Sequence, residues 1–195
     1  MDLLQRIQRW YTINCDGDWE YGRGVTITTV SNPGWAVTIP LQDTCLQNAS
    51  IRHALEQRTT TNWVGYSIQD GAFEGNGGPE NLTEILSFFL DTFLPEHIDS
   101  EFTYDVRLPI RDYDKRLWLK AKAIAISESV MRIASIDNPH LLPSYDWDFI
   151  NEPILSDVLE SNMLELSTDF KIGDLIEPQF LHDGDNMFLV APAKK

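Results

Sequence analysis

The sequence predicts an α+β fold, in which an antiparallel sheet is flanked by helices and a second α+β half of unknown fold follows. Two observations support the first half of this prediction. Residues 25–41 contain two stretches of alternating side chains, the pattern of strands with one buried face. Residues 3–11 and 82–93 instead repeat apolar side chains at helical spacing. Because helical stretches precede and follow the strands, we expect them to cover one face of the sheet.

The first predicted element is a helix that ends near Asn14. Its apolar side chains recur at intervals of three and four residues: Leu3, Leu4, Ile7, Trp10 and Tyr11. Asp2 places a negative charge beside the positive end of the helix dipole. The charged residues in this stretch are not typical of a signal peptide, and no apolar run in the chain approaches membrane-spanning length. The two cysteines are too few for a disulfide framework. We therefore expect a reducing, cytoplasmic location.

A β-hairpin is predicted next, with its turn at Ser31-Asn32-Pro33-Gly34. Proline favours one turn position, and glycine tolerates the positive φ that a type II turn requires. A loop over residues 42–50 leads to a third strand at 51–56, for which a short helix is the alternative. A fourth strand is expected over residues 63–69. Asp70-Gly71 is a hairpin signal, and residues 72–74 return briefly.

Glycines 75, 77 and 78 are predicted to open the second helix. Pro79 suits its first position, where a missing N–H is harmless. Glu80 and Glu84 complement the dipole, and Pro95 is expected to end the helix. The same glycine-rich loop could cradle a phosphate, but it lacks the lysine and hydroxyl of a P-loop, so we interpret it as a turn.

The composition changes near Pro95, because all six lysines lie at position 115 or later. We therefore predict two domains, residues 1–97 and 98–195. In the second, residues 102–108 alternate as a strand does, and residues 116–136 favour a strand pair over the alternative helix. The remaining predictions are a loop over 138–144, a helix that begins at Pro153, and a final strand over 187–190 after a turn at 183–186.

The charge and the motifs disfavour several classes of function. A net charge of −15 disfavours nucleic acid and anionic membranes as partners and favours a basic protein, although acidity also serves solubility. The four histidines lack metal-ligand spacing, and there is no nucleophile elbow. Cys15 stands beside Asp16, whose charge opposes thiolate formation. We therefore predict no catalytic, metal or cofactor residues.

An unusual acidic and aromatic segment precedes the hairpin, and it belongs to a set of motifs that suggests a family. The motifs, in chain order, are Trp10-Tyr11, Cys15-Asp16-Gly17-Asp18-Trp19-Glu20, Asn32-Pro33-Gly34-Trp35, Trp63, and Asp70-Gly71-Ala72-Phe73-Glu74-Gly75 running into Gly77-Gly78-Pro79-Glu80-Asn81-Leu82. In their order and spacing, residues 10–94 resemble immunity family 53, immunity proteins of bacterial polymorphic toxin systems. The second half of the chain matches no pattern of this family.

The resemblance implies a protein that binds and neutralises a cognate toxin domain without catalysis. An acidic inhibitor also suits a basic target, such as a nuclease. Two alternatives stay open: a hydrolase that uses carboxylates near residues 16–20, and an assembly or dimerisation module. Inward-facing carboxylates in a cleft would favour the hydrolase, and a two-fold apolar patch would favour assembly.

The predicted partner-binding residues combine charge with aromatic rings: Asp16, Asp18, Trp19, Glu20, Tyr21, Asp70 and Glu74. Charge would steer the encounter, and a ring would anchor the desolvated centre. The competing interpretation is that Asp16 and Asp18 cap backbone N–H groups and shape the loop. Trp19, Trp35 and Trp63 are each candidates for the core or for an interface. Asp146-Trp147-Asp148 is a second candidate surface.

Overall fold

The computed structural model describes residues 1–110, 117–137, 148–149, 168–183 and 186–192. These residues form two compact units. The first comprises Met1–Phe102 with Ile126–Ser129, and the second comprises the described residues of Thr103–Ala125 and from Val130 onward. Helices and two sheets are both present, so the predicted α+β class is confirmed. The domain boundary after residue 97 stays a prediction.

The helices of the first unit begin with the predicted one. They are α1 (Leu3–Asn14), α2 (Trp19–Gly22), α3 (Leu82–Ser87), a π-helical segment (Phe88–Phe93) and α4 (Leu94–His97). Asp2 caps α1, because its carboxylate accepts the Gln5 N–H at 2.8 Å while the Gln5 side chain accepts the Asp2 N–H at 3.1 Å. This reciprocal pair satisfies two backbone donors at the helix start.

Five antiparallel strands form the sheet of the first unit. They are β1 (Thr26–Val30), β2 (Gly34–Pro40), β3 (Ala54–Gln57), β4 (Trp63–Gln69) and β5 (Ala72–Gly77). Their order across the sheet is β1-β2-β5-β4-β3. The predicted hairpin and the strand over residues 63–69 are confirmed. At residues 51–56 the strand interpretation is confirmed over the helix, although the strand occupies only the later part of that range and extends to Gln57.

The two predicted turns have different outcomes. At the β4–β5 turn, Asp70 and Gly71 have φ angles of 51° and 75°. Positive φ at both central residues defines a type I′ turn, which joins antiparallel strands tightly, so that prediction is confirmed. The type II prediction for Gly34 is wrong, because φ there is not positive and Gly34 begins β2. A Cβ at Gly34 would lie 2.3 Å from the Gly77 carbonyl oxygen, so close approach between strands requires the glycine.

The predicted start and end of the second helix are also wrong. Residues 75–77 belong to β5, and α3 begins only at Leu82. A side chain at Gly75 would collide with Ile85 of α3, so the absence of side chains there lets the helix pack against the strand. Pro95 does not end the helical stretch, because it lies in the first turn of α4, where no backbone N–H is required.

The core of the first unit lies between the helices and one face of the sheet. Buried strand residues on that face include Val37, Ile39 and Phe73. The Phe73 ring lies 5.2 Å from both Phe89 and Phe93 of the π-helical segment, measured between ring centroids. Trp10 of α1 contacts Phe89 edge-on at 5.5 Å, and the Tyr66 and Phe88 rings stack at 3.8 Å. Large aromatic side chains therefore join the π-helical segment to the sheet and α1 to the π-helical segment.

The described part of the second unit is a seven-stranded sheet. Its strands are β6 (Tyr104–Pro109), β7 (Leu117–Ala125), β8 (Met131–Ile136), β9 (Asp148–Phe149), β10 (Leu175–Ile176), β11 (Gln179–Asp183) and β12 (Asn186–Val190). The order is β10-β8-β7-β6-β12-β11, with β9 paired to β7. The predicted strand at 102–108, the strand pair ending at Ile136 and the final strand are confirmed. The predicted loop at 138–144, the helix from Pro153, the Asp146-Trp147 pair and turn residues 184–185 lie outside the described residues.

Candidate partner-binding surface

The acidic and aromatic segment before the hairpin is braced by its own carboxylates. The Asp16 carboxylate accepts backbone N–H groups from Asp18 at 3.0 Å and from Trp19 at 2.8 Å. The Glu20 carboxylate accepts the N–H groups of Asp16 and Gly17, each at 3.1 Å. Asp16 and Glu20 therefore fix the shape of the segment while they carry charge. Asp18 makes no side-chain capping bond and is exposed.

The two aromatic rings of this segment point to different environments. Trp19 is buried, and its ring packs against Tyr11 of α1 at 5.9 Å between centroids. Tyr21 has 78% of its surface exposed, the highest exposure of any aromatic side chain among the described residues. Trp19 thus holds α2 in place, while Tyr21 is the ring that a partner can reach.

Gln42, in the loop after β2, joins this segment to the β4–β5 turn. Its backbone carbonyl accepts the indole N–H of Trp19 at 3.0 Å, and its side-chain amide donates to the Asp70 carbonyl at 2.8 Å. The Leu41 N–H also donates to the Gly71 carbonyl at 2.9 Å. The structure therefore brings two predicted pieces of the site together, the 16–21 segment and the Asp70 turn, although about fifty residues separate them in sequence.

A second link to the same loop is an ion pair. Arg23 Nη1 lies 2.9 Å from Asp43 Oδ2, and Asp43 is exposed with a positive φ of 57°. Gln42 and Asp43 were not among the predicted site residues. No pattern in the sequence marks them, because their role depends on the tertiary contacts with Trp19, Asp70 and Arg23.

Glu74 lies farther along β5, on the sheet face away from the helices. Its carboxylate accepts the Thr38 hydroxyl at 2.9 Å, and its side chain is half-buried. Trp63 is half-buried. It lies on the same face as Glu74, because the residue after it, Val64, faces the core and successive side chains of a strand point to opposite faces. Trp35 is half-buried on the helix side, where its indole N–H donates to the Pro79 carbonyl at 2.9 Å. Of the three tryptophans in question, only Trp19 is fully in the core.

We define the acidic surface as Asp16, Asp18, Glu20, Tyr21, Asp43 and Asp70. Residues 1–102 carry fourteen acidic and five basic side chains, so they hold −9 of the net charge of −15. Arg23 is the basic side chain paired within this surface. Its local field is therefore negative, which attracts a basic partner.

The chemistry of the surrounding groups is that of a scaffold. Burial raises the pKa of the Cys15 thiol to about 11, and the Glu20 carboxylate adds to this shift. The thiol is therefore protonated at neutral pH, mainly because it is buried and only secondarily because of its acidic neighbours. Cys15 and Cys45 are both buried, and neither forms a disulfide. Within the described ranges, no three His, Cys, Asp or Glu side chains converge as metal ligands do.

A separate polar network ties the β3–β4 connection to α3. Arg58 forms a bidentate pair with Glu84, at 2.9 Å and 2.5 Å, and it bonds Glu56 at 2.8 Å. The Asn81 side chain donates to Glu84 at 2.8 Å. The Arg58 bond to Glu84 lowers the pKa of that carboxyl. Because these charges satisfy one another, the network is a structural link between strand and helix.

None of the described helices combines the length and the apolar character required to cross a bilayer. Of three comparisons with known proteins, one found a match. Searches of curated proteins and of solved structures found no match. One protein-family model, Immunity protein 53, matches residues 4–93, which span α1, the five-stranded sheet and the π-helical segment. The comparison thus confirms the resemblance predicted from the sequence: the first half of this chain matches the Immunity protein 53 family.

Proposed function

We propose that this chain is an immunity protein that binds a cognate toxin domain and blocks it by occupying its surface, without chemistry. The observation that carries the proposal is the match of residues 4–93 to Immunity protein 53. In this proposal the chain belongs to a bacterial polymorphic toxin system and acts in the cytoplasm. The two buried cysteines form no disulfide, which is compatible with that reducing compartment.

The acidic surface is the contact region in this proposal. It combines a negative field with one exposed ring, Tyr21, and buried Trp19 supports it from below. Negative charge steers a basic protein to the surface and raises the association rate, while an aromatic ring supplies contact area when water is excluded. A toxin that grips nucleic acid is basic where it binds phosphates, so a nuclease fits this surface.

The geometry of the carboxylates favours binding over the hydrolase alternative. Asp16 and Glu20 already accept local backbone N–H groups, two each, which fixes their orientation along the chain. A catalytic carboxylate must instead reach a proton on a bound substrate. Asp18 and Asp70 are exposed, and their carboxylates form no hydrogen bond or ion pair with any residue in the described part of the chain, so they can approach a partner without disturbing the fold.

The double variant Asp18→Asn with Asp70→Asn tests the surface, because it removes two charges and keeps the shapes of the side chains. Asparagine also tolerates the positive φ of residue 70. The measurement is stopped-flow association with the purified cognate toxin domain. We expect association at low salt to slow by about threefold to tenfold, and the difference to vanish near 1 M salt, where the Debye length is about 3 Å.

The matched control is Glu96→Gln with Glu101→Gln, which removes the same charge from exposed positions outside the acidic surface. Its association rate should stay close to that of the unmodified protein. Equal slowing in both variants would show that only net charge matters. Unchanged association in the Asp18 and Asp70 variant would remove the acidic surface from the proposal.

A further inference from the structure

Strand β1 lies at one edge of the first sheet. Among the described residues it pairs with β2 alone, over the five positions from Thr26 to Val30. In an antiparallel strand the N–H and C=O groups of every second residue point away from the paired neighbour. An edge strand therefore presents a row of backbone donors and acceptors that another extended segment can pair with.

This edge lacks the features that protect most edge strands from pairing. Its sequence, Thr-Ile-Thr-Thr-Val, consists entirely of β-branched residues, contains no charge and no proline, and keeps an unbroken register with β2. The opposite edge, β3, differs: it is four residues long and carries Glu56, which Arg58 holds at 2.8 Å. Charge and shortness discourage pairing at β3, whereas β1 is a suitable template.

The side chains of β1 are also accessible. Thr26, Ile27, Thr28 and Thr29 are all exposed, although Ile27 points to the helix side of the sheet. Helix α3 packs on β2, which is the paired neighbour of β1, and on β5, which is the next strand beyond β2. A strand added at this edge would therefore find both backbone partners and an apolar side chain to cover.

The charge distribution indicates which occupant fits the edge. The chain enters β1 directly from α2 and Arg23, so one end of the edge adjoins the acidic surface at Asp43. A basic protein that adds a strand to β1 would reach those carboxylates at the same time. A second copy of this chain would instead bring two molecules of charge −15 together.

We propose that β1 accepts an extended strand of the toxin domain, which adds a sixth strand to the five-stranded sheet. This inference rests on the proposed function and specifies how the toxin is held. The backbone pairing supplies affinity that does not depend on the toxin's side chains, while the adjoining acidic surface selects a basic partner.

Proline substitutions at two adjacent positions test the pairing, because N–H groups of neighbouring strand residues point in opposite directions. One of Thr28→Pro and Thr29→Pro removes a bond to β2 and should lower the melting temperature. The other removes only an outward N–H, which an edge strand tolerates. We expect the variant that loses only an outward N–H to keep its melting temperature and to bind the purified toxin domain about tenfold more weakly.

Amide hydrogen exchange on the unmodified protein provides the second readout. The outward amides of β1 should exchange rapidly in the free protein and slowly in the toxin complex, while the edge amides of β3 stay rapid. A complex that leaves the β1 amides unprotected, with unchanged affinity for the folded proline variant, would overturn the pairing but not the proposed function. Protection that rises with protein concentration in the absence of toxin would show a second copy at the edge, which also contradicts the inference. Failure of the unmodified protein to bind its toxin would overturn both.

Discussion

Replacing Phe73 by alanine should destabilise the first unit by about 3–5 kcal/mol. The Phe73 ring is fully buried and packs against both Phe89 and Phe93, at 5.2 Å from each. Its removal leaves a cavity where the sheet meets the π-helical segment, and the rings around it cannot all move to fill the space. The measurement is the free energy of unfolding from urea denaturation, with the same dependence on urea concentration (the m-value) used for both proteins.

The matched control for this variant is Leu55→Ala, on β3 of the same sheet. Leu55 has 61% of its surface exposed, so its truncation should change the free energy of unfolding by no more than about 0.5 kcal/mol. Similar losses in the two variants would contradict the position of the core described above.

Gly34→Ala should destabilise the protein by about 1–3 kcal/mol, because the added methyl group has no room. It would lie 2.3 Å from the Gly77 carbonyl oxygen, which belongs to the backbone of a paired strand and cannot rotate away. Gly24→Ala is the control, since a Cβ at that position meets no atom within 4 Å. Thermal melting of the two variants separates the cases: equal melting temperatures would show that β2 and β5 do not approach as closely as the structure indicates.

The Gly34 position illustrates what local patterns can and cannot predict. Alternation of side chains predicted the β1–β2 hairpin, because strand periodicity depends on which face is buried. The same pattern could not reveal why glycine follows Pro33, since the constraint comes from Gly77, which is distant in sequence. A turn signal and a close contact between strands both select glycine. The helix prediction failed at residues 75–78 for the same reason, because Ile85 sets the requirement for glycine at Gly75 and the Thr61 carbonyl sets it at Gly78.

The sequence was enough to select the charged residues of the candidate site, but it did not show that these residues lie close together. The acidic and aromatic composition marked residues 16–21, and the Asp-Gly turn signal marked residue 70. Their proximity depends on Gln42, whose bonds to Trp19 and Asp70 join three separate segments. Glutamine in a polar loop carries no sequence signal for such a role. The division between buried Trp19 and exposed Tyr21 likewise depends on tertiary packing.

The central proposal is that this chain neutralises a toxin by stoichiometric binding, and calorimetric titration with the proposed cognate toxin domain tests it most directly. We expect a saturable signal that ends at a fixed stoichiometric ratio, followed by recovery of a toxin domain with unchanged mass after the complex is dissociated. No saturable heat would contradict the binding claim. If far less than one equivalent of this protein changes the mass of the toxin, the result would contradict occlusion without chemistry and would support an enzyme instead.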